Sequence, residues 1–254
     1  MKKIIILISA LVMASSCSWF VFDNEESYDA TITGTFVDSK TGQPVLFAHP
    51  NANTFQVIEL GWTDQASQNW YIKPNGTYVN KLVFAGSYQM HTLKQNFYPQ
   101  ESVPFEIKKG DNKVDFTVTP YARILDPQIT FENGFIVARF KVECSDPSKT
   151  DKVDVALFGF TDRYVSDGYN NFDAQKATSQ KSSVKADGTT VIELKVDTSK
   201  AAKTQFTYKR NHFLRIGAVA TGKNVNTSKM YNYSPVYMMP QDFSTVSEIT
   251  NWDE

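Results

Sequence analysis

The chain has 254 residues, of which 41% are hydrophobic and 13% aromatic, and that much apolar surface excludes disorder as the ground state. Its 26 Lys and Arg nearly balance 27 Asp and Glu, so no basic field exists to hold nucleic acid. With only Cys17 and Cys144, neither a disulfide framework nor a thiolate metal site is available.

Lys2 and Lys3 precede an apolar run, 4–14, that fits a secretory signal core and falls short of the roughly 20 residues a membrane-spanning helix needs. Ala14-Ser15-Ser16 then lead into Cys17, a pattern that resembles a bacterial lipobox, with Ala14 where that motif prefers leucine. The resemblance implies a signal peptide over 1–16, a diacylglycerol on the Cys17 sulfur and a lipid anchor in the outer membrane. Acyl chains supply membrane affinity at about 0.8 kcal/mol per buried methylene. An ordinary cleavable signal with an incidental cysteine is the competing reading. Residues 17–29 form a tether, whose Asp23-Asn24-Glu25-Glu26 resembles the surface-export signals of Bacteroidetes lipoproteins.

From Ala30 the sequence becomes a series of short apolar alternations punctuated by Gly, Pro, Asn and Asp, which predicts strands and turns. Val114, Phe116 and Val118 alternate with polar residues, as do Ile136, Ala138, Phe140 and Val142, and Ile192, Leu194 and Val196. Leu214, Ile216, Ala218 and Ala220 repeat the pattern around Arg215, and all four runs predict half-buried antiparallel strands. Thr41-Gly42, Asn75-Gly76, Gly110-Asp111-Asn112, Asn133-Gly134 and Asp187-Gly188 supply turns between such runs. The expectation is an all-β chain of two consecutive β-sandwich domains, 30–121 and 122–240, divided near Thr119-Pro120-Tyr121. A tail, 241–254, lacks either period and is expected to be docked or frayed.

The segment Ala30-Thr31-Ile32-Thr33-Gly34-Thr35-Phe36-Val37-Asp38, continuing to Gly42 and Val45, resembles the opening of a carboxypeptidase-regulatory-like domain, a small transthyretin-like sandwich. Lys73-Pro74-Asn75-Gly76-Thr77-Tyr78 and Phe84-Ala85-Gly86-Ser87-Tyr88 match the rest of that signature. With the junction Val118-Thr119-Pro120-Tyr121-Ala122-Arg123-Ile124 and a second, Ig-like or fibronectin-III-like domain, the chain is similar to a family of Bacteroidetes lipoproteins often encoded beside SusC/SusD-like glycan-uptake pairs. The resemblance implies architecture and context, and fold alone implies no activity.

Chemistry-bearing patterns are sparse. His49, His91 and His212 lie far apart without metal-ligand spacing, there is no Gly-x-Ser-x-Gly elbow, and Cys144 sits at a strand end as an unreactive thiol. No catalytic residue, metal or cofactor is assigned, and the chain is read as a non-enzyme. Loop 162–173 is the densest set of oxygen donors, with Asp162, Asp167, Asn170, Asn171 and Asp173; it predicts either a polar connection or a calcium site. Trp62 with Trp70-Tyr71 bracket the polar stretch 63–69, which ends in Asn69, in the manner of a glycan-binding loop, although aromatic rings also dominate sandwich interiors. Tyr231, Tyr233 and Tyr237 are spaced so that one strand face would carry all three, for binding or for packing. The functional expectation is an outer-membrane lipoprotein that binds glycan or assists a SusC/SusD-like complex. The alternative is a structural or adhesive subunit that recruits partner chains through an exposed strand edge.

Overall fold

The structure, a computed structural model, describes residues 27–49, 53–172, 181–201 and 209–252. The signal segment and Cys17 lie outside the described residues. Among the described residues eight strands build the first half: β1 (Ala30–Asp38), β2 (Thr54–Glu59), β3 (Ser67–Tyr71), β4 (Thr77–Val83), β5 (Gly86–Thr92), β6 (Val103–Ile107), β7 (Gly110–Lys113) and β8 (Phe116–Val118). One sheet runs β4-β1-β7 with β8 also on β1, and the facing sheet runs β3-β2-β5-β6.

Alternation along β1 buries Ala30, Ile32, Phe36 and Asp38 and turns Thr33 outward, as a period of two requires. Phe36 is fully enclosed, with ring centroids of Phe55, Phe116, Phe97 and Phe47 within 5.1–5.8 Å. Such pairs add about 0.5–1.5 kcal/mol each beyond the area they bury. Gly34 owes its identity to the strands beside it. A Cβ there would lie 1.8 Å from the Val114 carbonyl oxygen and 2.7 Å from the Tyr78 ring, whose hydroxyl donates to that same carbonyl at 2.7 Å.

Val114 to Val118 does not form the single antiparallel strand expected. The chain breaks into β7 and β8, each parallel to β1. The break is satisfied locally: Val114 N–H donates to the Thr33 carbonyl and the Asp115 carboxylate accepts from Thr35 N–H, so a side chain fills the rung the backbone leaves.

The second half comprises β9 (Ala122–Glu132), β10 (Phe135–Cys144), β11 (Lys152–Phe160), β12 (Lys181–Lys185), β13 (Ile192–Asp197), one helical turn α1 (Thr198–Ala201), β14 (His212–Thr221), β15 (Asn232–Tyr233), β16 (Tyr237–Met239) and β17 (Ser247–Glu248). Sheet β13-β10-β9 faces sheet β12-β11-β14-β16-β17 across a largely aliphatic core that includes Ile136, Val142, Leu157, Leu194 and Ile216. β9 and β10 join through Asn133-Gly134, both at positive φ, the geometry of a two-residue hairpin. The chain is therefore all-β, two consecutive sandwiches.

One strand departs from the expected half-burial. β14 is buried on both faces from Leu214 to Ala220, and Arg215, expected to face water, is only 1% exposed. Its outer face is covered by a third cluster formed by Ala48 from the first half with Phe158, Val165, Tyr233 and Val236 from the second. Arg215 bridges the halves there. Its Nη1 donates to the Phe47 carbonyl at 2.8 Å, its Nε donates to the Ser234 carbonyl at 2.9 Å, and its guanidinium lies 4.4 Å from the centre of the Tyr233 ring. Burial pulls its pKa down to about 10, which still leaves a cation at neutral pH.

Further polar ties cross the junction. Asn96 donates to the carbonyls of Leu46 and Tyr231, and Asn232 donates to the Asn96 carbonyl while accepting from Ala122 N–H. No helix among the described residues is long and apolar enough to cross a membrane.

Candidate functional site

The expected aromatic site is divided by strand geometry. In the β2–β3 hairpin Thr54 pairs with Tyr71, Phe55 with Trp70 and Gln56 with Asn69. A period of two then sends Asn69 and Tyr71 to the outer face and Trp70 to the inner one. Trp70 is 4% exposed, packs edge-on to Phe55, and donates its indole N–H to Gln68 at 3.1 Å. This corrects the reading of Trp70 as a ligand contact, because a ring enclosed on both faces has none left for a sugar. Trp62 is 62% exposed in the connection between the strands, and Tyr71 is 67% exposed. Tyr71 ends β3, and Trp62 lies in the connection that leads into its other end, five residues before Ser67. Between them, directly opposed residues place Asn69, Gln56 and His91 in one outward row.

The tyrosines near the C-terminus do not share a face. Tyr231 and Tyr233 pack on Phe158 in the third cluster, whereas Tyr237 enters the second core and donates its hydroxyl to the Pro127 carbonyl at 2.7 Å. Ser234-Pro235-Val236 separates β15 from β16 and resets the alternation. In loop 162–173 the oxygens close turns: Asp162 accepts from Tyr164 N–H, Asn170 accepts from the N–H groups of Gly159 and Phe172, and Asp167 accepts the Tyr233 hydroxyl at 2.6 Å. Asp173 lies outside the described residues. Among the described residues no three His, Cys, Asp or Glu come together as metal ligands. His49 lies tilted against Tyr164 and stacked on Tyr169, His91 belongs to β5, and His212 is buried, its pKa lowered by desolvation and by nearby Arg210. Cys144 is buried, and desolvation pushes its thiol up to about 11, as an inert core residue requires.

A cleft of about 520 Å³ that periodicity did not indicate lies where the two halves meet. It is formed by the end of β1 with the following turn, by Pro120–Leu125, by Asn232–Pro235, and by Glu248–Trp252 of the tail. The tail is docked: β17 pairs with β16, Ile249 N–H donates to the Val236 carbonyl at 2.8 Å, and Arg163 donates to the Trp252 carbonyl at 3.1 Å. At the floor Arg123 donates from Nε and Nη2 to the Asp38 carboxylate at 2.5 and 2.7 Å. Its Nη1 donates to Glu143 at 3.3 Å, and Lys40 donates to Glu143 at 2.7 Å. Burial opposes ionisation of Asp38, but hydrogen bonds from Arg123, Lys40 N–H and Thr41 outweigh it and hold the carboxyl below its ordinary range. Asp38 and Gly42 both belong to the Asp-x-x-x-Gly turn, so that motif serves the junction as well as the strand end.

Residues 30–119 match the model of the N-terminal domain of a protein of unknown function, DUF3823. The chain is 31% identical to a "putative carbohydrate binding protein" from Bacteroides uniformis, with a TM-score of 0.75 over 84% of this chain and 99% of that one. A DUF3823 protein from Parabacteroides merdae shares the fold at 21% identity and a TM-score of 0.68, over 83% of this chain and 98% of the other. One from Bacteroides ovatus does so at 16% identity and 0.68, over 84% and 99%. No curated protein matches the chain significantly. The match over the first sandwich and the near-complete overlap with the Bacteroides uniformis relative establish that the chain belongs to the DUF3823 family.

Proposed function

We propose that this chain is a non-enzymatic, glycan-binding lipoprotein, anchored in the outer membrane through Cys17, facing the cell surface, and serving a SusC/SusD-like uptake system. In this reading 30–121 and 122–240 are its domains, and Trp62, Asn69 and Tyr71 contact glycan. The observation that carries it is the outer surface of the β2–β3 hairpin. Two large rings stand exposed there with an amide-rich row between them, flat apolar platforms beside hydroxyl-bonding groups. The 31% identical relative named for carbohydrate binding supports the same class of ligand.

Binding of the mature protein to a panel of plant and mucin polysaccharides tests the reading. Trp62→Ala and Tyr71→Ala should each weaken binding about tenfold, as for the loss of an aromatic contact worth about 1.4 kcal/mol. No affinity for any polysaccharide, with no uptake proteins copurifying from membranes, would sink it and leave the adhesive alternative. Mass spectrometry of the native protein should find Cys17 diacylated, and an unmodified thiol would remove the anchor from the proposal.

A further inference from the structure

We infer that the cleft at the junction of the two sandwiches is a second ligand site, and that its occupant is an uncharged oligosaccharide. The ligand class rests on the glycan-binding reading above, while the location rests on the cleft itself.

Its volume, about 520 Å³, lies within the roughly 300–1,000 Å³ of small-molecule sites. The floor carries charge that is already neutralised. Arg123 donates to Asp38 through two nitrogens and to Glu143 through a third, and Asp38 also accepts from Lys40 N–H and the Thr41 hydroxyl. Among the described residues lining the cleft Arg123 is the one cation, so none there is left over to hold a phosphate, sulfate or uronate. Glu248, exposed on the rim, repels such groups as well.

The walls are apolar on both sides, with Pro44 and Leu46 from the first half and Pro235 and Ile249 from the second. Such walls suit the C–H faces of pyranose rings. Trp252, half-buried and held through its carbonyl by Arg163, brings an aromatic ring to the same space. Gln43, Asn75 and Thr250 on the lining supply donors and acceptors for hydroxyls. This mixture of apolar walls, two aromatic residues, Trp252 and Tyr233, amides and a compensated floor fits a neutral sugar better than an anion.

The cleft also lies well away from the start of β1. It opens at the Asp38 end of β1, and the nine residues of that strand put it about 27 Å from Ala30.

Titration calorimetry on the mature protein with neutral tetrasaccharides of glucose, mannose, galactose and xylose, and with tetragalacturonate as the acidic counterpart, tests the inference. At least one neutral tetrasaccharide should bind. Trp252→Ala should weaken it about tenfold and Gln43→Ala severalfold, Gln43 being exposed and its loss harmless to folding. Thermal unfolding of both variants checks that the fold persists. If neutral sugars bind and only Trp62→Ala or Tyr71→Ala weakens them, the cleft inference falls and the hairpin reading stands. Tetragalacturonate binding more tightly than every neutral sugar overturns the charge argument. Silence from all tetrasaccharides and polysaccharides brings down both.

Discussion

Replacing Asp38 with Asn isolates the energetics of the junction. The substitution keeps the volume and an oxygen for the Lys40 N–H, but removes the charge that faces Arg123, whose side chain is 8% exposed. Removing one member of a buried, hydrogen-bonded pair costs about 3–5 kcal/mol, because the other charge stays buried without compensation. Here Glu143, 3.3 Å from Nη1, retains part of that compensation, so about 2–4 kcal/mol is expected. Urea unfolding followed by tryptophan fluorescence should show the midpoint falling by about 1 M or more, for slopes of about 1–3 kcal/mol/M. Adding Arg123→Met should recover at least half of the loss, since replacing both charges with apolar volume is often neutral. The pH dependence has a fixed sign. The folded-state pKa of Asp38 is depressed, so its contribution is fully present above the unfolded value, about 3.9, and is lost as pH falls through that value toward the folded one. The gap between wild type and Asp38→Asn should close in acid. A single variant within about 0.5 kcal/mol of wild type, or a double variant as unstable as the two losses summed, would refute the reasoning.

Other parts of the fold yield equally direct expectations. Arg215→Met leaves the carbonyls of Phe47 and Ser234 buried without their donor and should cost about 2–4 kcal/mol in calorimetric or urea unfolding, at about 1–3 kcal/mol per orphaned group; a neutral result would mean that the third cluster holds without it. Gly34→Ala forces a methyl against the Val114 carbonyl and the Tyr78 ring and should destabilise by about 3 kcal/mol or prevent folding, read as the soluble yield and unfolding midpoint. In a chain carrying Cys17→Ser, the Cys144 thiol should resist iodoacetamide at pH 8 until urea unfolds the protein, and rapid labelling of the folded chain would contradict its burial.

Strands and turns were legible where a single local rule sufficed. The alternations at Ile136 to Val142 and Ile192 to Val196 appear as β10 and β13 with those residues inside, and Asn133-Gly134 forms the hairpin its positive-φ tolerance requires. The motif residues were visible too, but their reasons were not. Gly34 is needed because Tyr78, 44 residues further on, crosses directly over it. Trp70 and Tyr71 are adjacent in sequence with equal claim to a sugar; register alone buried one and exposed the other.

Composition and periodicity by themselves determined that the described residues would be built mainly of β-strands packed as sandwiches, because that follows from side-chain chemistry and a period of two. Tertiary structure alone decided what lies between the sandwiches. Arg215 reads as a solvent-facing residue until a segment from the other half covers it, and Trp252 sits in a stretch with no period until the tail docks. The cleft, its salt-bridged floor and its walls combine residues up to 214 positions apart, Asp38 with Trp252, and no local pattern encodes a contact whose partners meet only after both halves have folded.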